Sequence, residues 1–313
     1  MSDHGAGRLG AIDIGTNSVR LLVADVDGAG ADAAMHTIDR RMRITRLGQG
    51  VDEARRLRPE AIDRTLDALR EYRGALDDLG ARRVRATATS AARDAANRDD
   101  FFGPAGDVLG IEPELISGNE EAKLSFVGAT AGLSDPAPYL VVDIGGGSTE
   151  FIVGTREPDG LISVDMGSVR LTEQYLASDP PAPEELSAAK SIVRDHLADV
   201  EREIPAVLDA GTLVGVGGTI TTVAAIELGL PEYDPDKINH FRLTKAAAED
   251  VFRTLATETA EERRHNPGLD PGRVDVIVAG ALELVTIMRA YSFDEMLVSE
   301  ADILDGLVRT LAH

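Results

Sequence analysis

Apolar residues along the chain follow two rhythms. From Pro59 the positions Ile62, Leu66, Leu69, Tyr72, Leu76 and Leu79 recur every three or four residues, which is the period of one helix face, and Gly80 supplies a stop. Short apolar runs bounded by glycine, proline or small polar residues read instead as strands: 84–89, 113–117, 213–216 and 296–298. Ser90 is placed to cap a short helix through Asn97, and Asn119 to cap a helix running to about Gly132. Further helices are expected near 184–208, over 220–228, and over 273–290, where the apolar content is high enough to predict full burial, with a last helix after Ser299. The alternation of strands and helices predicts an α/β protein.

One pattern occurs twice. Ala11-Ile12-Asp13-Ile14-Gly15-Thr16-Asn17-Ser18 returns as Val142-Asp143-Ile144-Gly145-Gly146-Gly147-Ser148-Thr149, the aspartates 130 residues apart. Each copy has an apolar strand before it and another after it, so each reads as a β-hairpin opening its own lobe. The stretch 133–138, with two prolines, is the candidate linker, which divides the chain into residues 1–132 and 133–313, with the last helix free to pack back on the first lobe. A chain of 313 residues is more comfortable as two domains than as one.

Composition narrows the chemistry. There is no cysteine, so no disulfide, zinc-thiolate or thiolate nucleophile is available. The six histidines, at 4, 36, 196, 240, 265 and 313, form no pair with metal-ligand spacing. No apolar run is long enough for a membrane span and the first ten residues lack a signal-peptide core, so a cytoplasmic, membrane-free protein is expected. The net charge of −22 argues against a general nucleic-acid binder. That charge is uneven: residues 1–100 carry 17 Arg against 17 acidic residues, so all the excess lies further on. Within the neutral part, Arg40, Arg41, Arg43 and Arg46 form a basic run that fits either a polyanion path or a solvated strand.

Glycine at a strand-to-strand turn lets backbone amides approach a phosphate closely. Gly15 with Thr16, Asn17 and Ser18, and Gly145, Gly146 and Gly147 with Ser148, are two such turns; Gly217-Gly218-Thr219, opening a helix, is a third. A tight hairpin alone would explain any one of them; three together point to phosphate.

The paired turns resemble those of the sugar kinase, Hsp70 and actin superfamily. Other segments resemble the exopolyphosphatase and guanosine pentaphosphatase (Ppx/GppA) family: Ala88-Thr89-Ser90-Ala91-Ala92-Arg93, Ser117-Gly118-Asn119-Glu120-Glu121-Ala122, Asp143 to Glu150, Tyr233-Asp234-Pro235, and Ser299-Glu300-Ala301-Asp302-Ile303-Leu304-Asp305-Gly306. These span nearly the whole chain. The resemblance implies two actin-like (ribonuclease H-like) lobes, each a mixed sheet flanked by helices, with a cleft between them, and a hinge near 133–138. It implies Glu121 as the general base activating water, although first-turn carboxylates such as Glu120 and Glu121 also simply complement a helix dipole. It assigns Asp143 and Glu150 to a Mg²⁺ (or Mn²⁺) site, which Asp13 could share or leave in order to cap its own hairpin. Arg93, one turn into a short helix, is then a phosphate-binding catalytic residue rather than a surface charge. A homodimer is likewise implied, in the short form that lacks a His-Asp domain.

The implied reaction is release of terminal orthophosphate from inorganic polyphosphate by in-line attack of water, with guanosine pentaphosphate as the alternative substrate. The Arg40 to Arg46 run and the scarcity of aromatic residues favour polyphosphate. Two other classes remain: an ATP-dependent kinase of the same superfamily, which needs an acceptor, and a silent polyphosphate or nucleotide sensor, which has no need of a general base.

Overall fold

The computed structural model describes residues 7–28 and 34–312. They fall into two compact units, one within Met1–Leu133 joined by Asp302–His313, the other Ser134–Ala301.

The first unit is built on β1 (Gly7–Ile14), β2 (Ser18–Asp27), β3 (Ala34–Ile44), α1 (Val51–Ala54), α2 (Pro59–Leu79), β4 (Arg83–Ala88), α3 (Ser90–Asp94), α4 (Asp99–Leu109), β5 (Glu114–Leu115) and α5 (Gly118–Thr130). The strands form one sheet in the order β3-β2-β1-β4-β5, antiparallel on the hairpin side and parallel on the other. The second unit contains β6 (Tyr139–Ile144), β7 (Thr149–Gly154), β8 (Pro158–Val164), α6 (Ser168–Tyr175), α7 (Pro183–Glu203), β9 (Thr212–Val216), α8 (Gly218–Glu227), α9 (Pro235–Ile238), β10 (Arg242–Thr244), α10 (Lys245–Thr257), α11 (Ala260–Arg263), α12 (Ile277–Ala290) and β11 (Glu295–Val298). Its sheet runs β10-β11-β9-β6-β7-β8. Apart from the edge strand β10, this is the order of the first sheet read strand for strand, with β6 in the place of β1. The last helix, α13 (Ile303–Leu311), belongs to the first unit.

The helical period read in the sequence produces α2. Pro59 at its first turn has no amide to waste, Gly80 closes it in the left-handed region at φ 71°, and Ile62, Leu66, Leu69, Tyr72 and Leu76 are buried. The Tyr72 hydroxyl, inside the core, donates to the Val19 carbonyl at 3.0 Å. Strands β6 and β7 are buried along their whole length, which is why their sequences are apolar runs rather than alternations. The other face of the first sheet is covered by α13, whose Ile303, Leu304, Leu307 and Val308 pack with Leu9, Ala11, Leu22, Ala24 and Leu124.

Several boundaries differ from expectation, each for a local reason. The helix expected from Asn119 begins at Gly118, because Ser117 is the cap and its hydroxyl accepts from the Glu120 amide at 3.2 Å. Thr89 rather than Ser90 occupies the cap position of α3, which stops at Asp94. The long helix expected to Leu208 breaks at Glu203, where Pro205 starts a separate 3₁₀ turn. The helix expected from Arg273 begins at Ile277, after a 3₁₀ turn at Pro271–Arg273.

Arg40, Arg41 and Arg43 of the basic run lie on β3, with Arg46 in the loop that follows, and the three on β3 are paired within the first unit itself. Arg40 reaches Asp305 and, at 3.3 Å, Asp302; Arg41 binds Asp39 at 2.7 Å; Arg43 pairs with Glu71. Of the two readings of this run, the polyanion path therefore loses most of its free charge.

Candidate functional site

In the first unit the turn Gly15-Thr16-Asn17 closes the β1–β2 hairpin, with the Gly15 amide donating to the Ser18 carbonyl at 3.0 Å. A following loop folds over it: the Thr45 and Arg46 amides donate to the Asn17 carbonyl at 3.0 and 2.9 Å, and the Gly48 amide to the Thr16 carbonyl at 2.8 Å. Thr16 and Asn17 are thereby buried. Asp13, at the end of β1, faces Arg20 across the hairpin and Thr87 across β4. Its Oδ2 accepts from Arg20 Nη2 at 2.7 Å and Nε at 3.1 Å, and the same guanidinium binds Asp302. Burial raises the Asp13 carboxyl above its ordinary value, with Arg20 opposing the shift.

Asp13 Oδ1, both polar atoms of the Asn17 amide, Thr45 Oγ1 and Thr87 Oγ1 are buried with no hydrogen-bond partner in the protein. Buried polar atoms are normally satisfied, so orphans gathered around one turn mark a place where solvent, an ion or a ligand completes the set.

Arg93 and Glu121 meet in the same unit. The Arg93 Nη1 donates to Glu121 Oε2 at 2.8 Å and to the Ile116 carbonyl at 3.1 Å. Glu121 is held there by the first turn of α5, and Arg93 by α3, directly after β4. Arg93 is also close enough to Asp13 to favour its ionised form. Glu120 points elsewhere, to Arg85 at 3.0 Å.

In the second unit, β6 and β7 set Asp143 directly opposite Glu150, and both are buried. Glu150 Oε1 accepts from Ser163 Oγ at 2.7 Å. The turn between them, Gly145 to Ser148, is clamped to the start of α6: the Ser168 amide donates to the Gly145 carbonyl at 3.0 Å, the Val169 amide to Gly146 at 2.9 Å, and Arg170 Nε to Gly147 at 2.8 Å. The third turn lies against the end of β6. Gly217 has φ 93°, and a Cβ there would come 2.8 Å from Asp143 Oδ1, so only glycine serves at this position. Gly218 and Thr219 then open α8, and the Arg273 guanidinium lies against Gly218.

Among the described residues no three His, Asp or Glu side chains converge to cage a metal ion. That donor set fits an ion that takes one or two carboxylates and completes its shell with water and substrate oxygens, as Mg²⁺ does, and does not fit an all-protein site.

The sequence reading missed Arg20, Ser168, Arg170 and Arg273. Arg20 could have been found: it stands seven residues after Asp13, as Glu150 stands seven after Asp143. The repeated hairpin thus carries an Asp–Arg pair in one unit and an Asp–Glu pair in the other.

One sheet topology used twice, each copy opening with a glycine-turn hairpin, defines an α/β protein of the actin-like class. More closely, the chain belongs to the Ppx/GppA phosphatase family, whose model matches residues 22–313. It is 45% identical to exopolyphosphatase 2 of Mycobacterium tuberculosis, over 97% of this chain and 98% of that protein. Among solved structures, an exopolyphosphatase-like protein superposes with a TM-score of 0.93 at 38% identity, over 98% of each chain. The Ppx/GppA enzyme of Aquifex aeolicus superposes with a TM-score of 0.81 at 33% identity, over 97% of this chain and 99% of that one.

Proposed function

We propose that this chain is an exopolyphosphatase, releasing terminal orthophosphate from inorganic polyphosphate. The observation that carries the reading is the Arg93–Glu121 pair at 2.8 Å, in a chain whose relative over nearly its full length is an exopolyphosphatase. The guanidinium orients the carboxylate, as a group that takes a proton from water must be oriented. The guanidinium, with five donors in a fixed fork, can share itself between that carboxylate and a phosphate oxygen.

In this reading Glu121 accepts the proton of the attacking water and Arg93 stabilises charge on the transferring oxygens. Thr16, Asn17 and Ser18, the turn Gly145, Gly146, Gly147 and Ser148, and Gly217, Gly218 and Thr219 bind phosphate oxygens through amides and hydroxyls. Asp143 and Glu150, with Asp13 as a further candidate, would hold Mg²⁺ or Mn²⁺. Such an ion, when bound, neutralises phosphate charge. The orphaned atoms around the first turn support a ligand there. Asp13 is bound on one oxygen by Arg20. A homodimer in the cytoplasm completes the reading, and light scattering tests the dimer.

The ion pairing of Arg40, Arg41 and Arg43 removes the main sequence argument for polyphosphate over guanosine pentaphosphate, so the assay must include both. The test is phosphate release from long-chain and short-chain polyphosphate, guanosine pentaphosphate and ATP, comparing the chain with Glu121→Ala. Release from polyphosphate, lost by about 100-fold or more in the variant with binding retained, is the expected result. Preference for guanosine pentaphosphate moves the substrate; binding without any release makes the chain a sensor; an unaffected Glu121→Ala places the base elsewhere.

A further inference from the structure

Helix α12 is buried from Ile277 to Met288, and within that stretch Glu283 is the single ionisable residue. It is fully buried with no cation beside it. Its Oε1 accepts from the Thr149 hydroxyl at 2.5 Å, and its Oε2 has no partner. Burying a carboxyl on one hydrogen bond is costly, and a leucine of similar volume would suit this core better. The group therefore calls for a reason beyond packing.

Its location supplies one. Thr149 joins the second glycine turn to Glu150. One helical turn before Glu283, on the same face of α12, stands Gly280. A Cβ there would meet Thr219 Oγ1 at 2.8 Å and the Ser168 Cβ at 3.2 Å. Thr219 belongs to the third glycine turn, and Ser168 starts the helix that clamps the second. A single face of α12 thus underlies all three segments: Gly280 lets two of them close in, and Glu283 grips the other.

We propose that Glu283 is a positioning residue, which through Thr149 fixes the second glycine turn in the spacing from the third that phosphate binding requires. This rests on the reading of those turns as phosphate-binding. Glu283 touches no substrate; it acts through the Thr149 hydroxyl. A glutamine retains the accepting oxygen and the volume, whereas a leucine retains only the volume.

The test is calorimetric binding of a nonhydrolysable imido analogue of tripolyphosphate, with phosphate release from polyphosphate measured in parallel. The set is the unmodified chain, Glu283→Leu, Glu283→Gln, Thr149→Val, and the Thr149→Val/Glu283→Leu double variant. Glu283→Leu and Thr149→Val are each expected to weaken binding by about 10-fold or more, with KM raised more than kcat is lowered. Glu283→Gln should restore binding, and the double variant should be no worse than either single, because both remove one interaction. Should Glu283→Leu fail to fold, Thr149→Val decides alone. Unchanged affinity in Thr149→Val, failure of Glu283→Gln to rescue, or additive effects in the double variant overturns the proposal. If the unmodified chain binds the analogue but releases no phosphate, the proposed hydrolase function falls and the positioning role stands.

Discussion

At the scale of single residues, the Arg93–Glu121 pair and the buried Glu283 each make a prediction. One nitrogen of Arg93, Nη1, binds both Glu121 and the Ile116 carbonyl. A lysine ammonium can make those two bonds but, as a point charge, cannot also present a planar fork to a phosphate oxygen as the proposed role requires, so Arg93→Lys should not substitute for it. A fall in kcat of about 100-fold is expected for Arg93→Lys, measured on polyphosphate under saturating substrate; a near-normal rate would show that charge alone suffices. Glu283 yields a pH prediction. Burial pushes its carboxyl up to about 8 from an ordinary 4.5. Between those values the folded chain holds a proton that the unfolded chain releases. The associated stability is therefore complete below about pH 4.5, declines as pH rises, and is lost once pH passes about 8. Glu283→Gln cannot ionise, so its Tm relative to the unmodified chain should rise between about pH 5 and pH 8 and level off above that, by an amount on the order of a few kcal/mol in stability. A difference independent of pH, followed by scanning calorimetry, would remove this account.

At the scale of elements, α5 and α13 show how a candidate catalytic residue depends on a helix far away in the chain. A Cβ at Gly306 of α13 would fall on the Leu124 carbonyl oxygen of α5, backbone that cannot swing aside. Alanine normally favours a helix over glycine by about 1 kcal/mol, but here the overlap decides the sign. Gly306→Ala should destabilise by about 1–3 kcal/mol and, because α5 carries Glu121, lower phosphate release as well. Thermal melting and kcat measured on the same preparation check this; a stabilised variant would mean the helices separate easily. The start of α13 is secured in parallel. Asp302 caps it, accepting from the Leu304 amide at 2.9 Å, while also binding Arg20 and Arg40 of β2 and β3. The motif 299–306 was legible as part of a family pattern, but its ionic partners were not. They lie more than 260 residues away, and no local periodicity reports contacts at that separation.

At the scale of the molecule, the chain leaves the first unit after Leu133 and returns at Asp302. The returning helix fills the face of the first sheet that α2 and α4 do not cover. Ending the chain at Ala301 should therefore expose Leu9, Leu22 and Leu124 and unfold the first unit, seen as insoluble expression or loss of its melting transition. A soluble first unit of unchanged stability would contradict the packing.

The sequence by itself determined what local rules govern. Helical period and terminal proline and glycine specified α2, and the repeated Asp-Ile-Gly pattern specified two equivalent hairpins, which proved to be two copies of one sheet order. It also offered Glu121, Arg93, Asp143 and Glu150 as candidates, because the short contiguous motifs in which each stands resemble those of the family. Tertiary structure alone decided which charges neutralise one another and which remain. The basic run from Arg40 to Arg46 reads in sequence as either a path for anions or a solvated strand, yet folding brings Asp302, Asp305 and Glu71 onto its β3 residues, and Coulomb attraction depends on separation in space rather than along the chain. For the same reason Glu283 reads as a polar interruption in an apolar helix. Only packing shows it beneath the glycine turns, because the cost of a buried carboxyl and its single partner are set by surroundings drawn from the whole second unit.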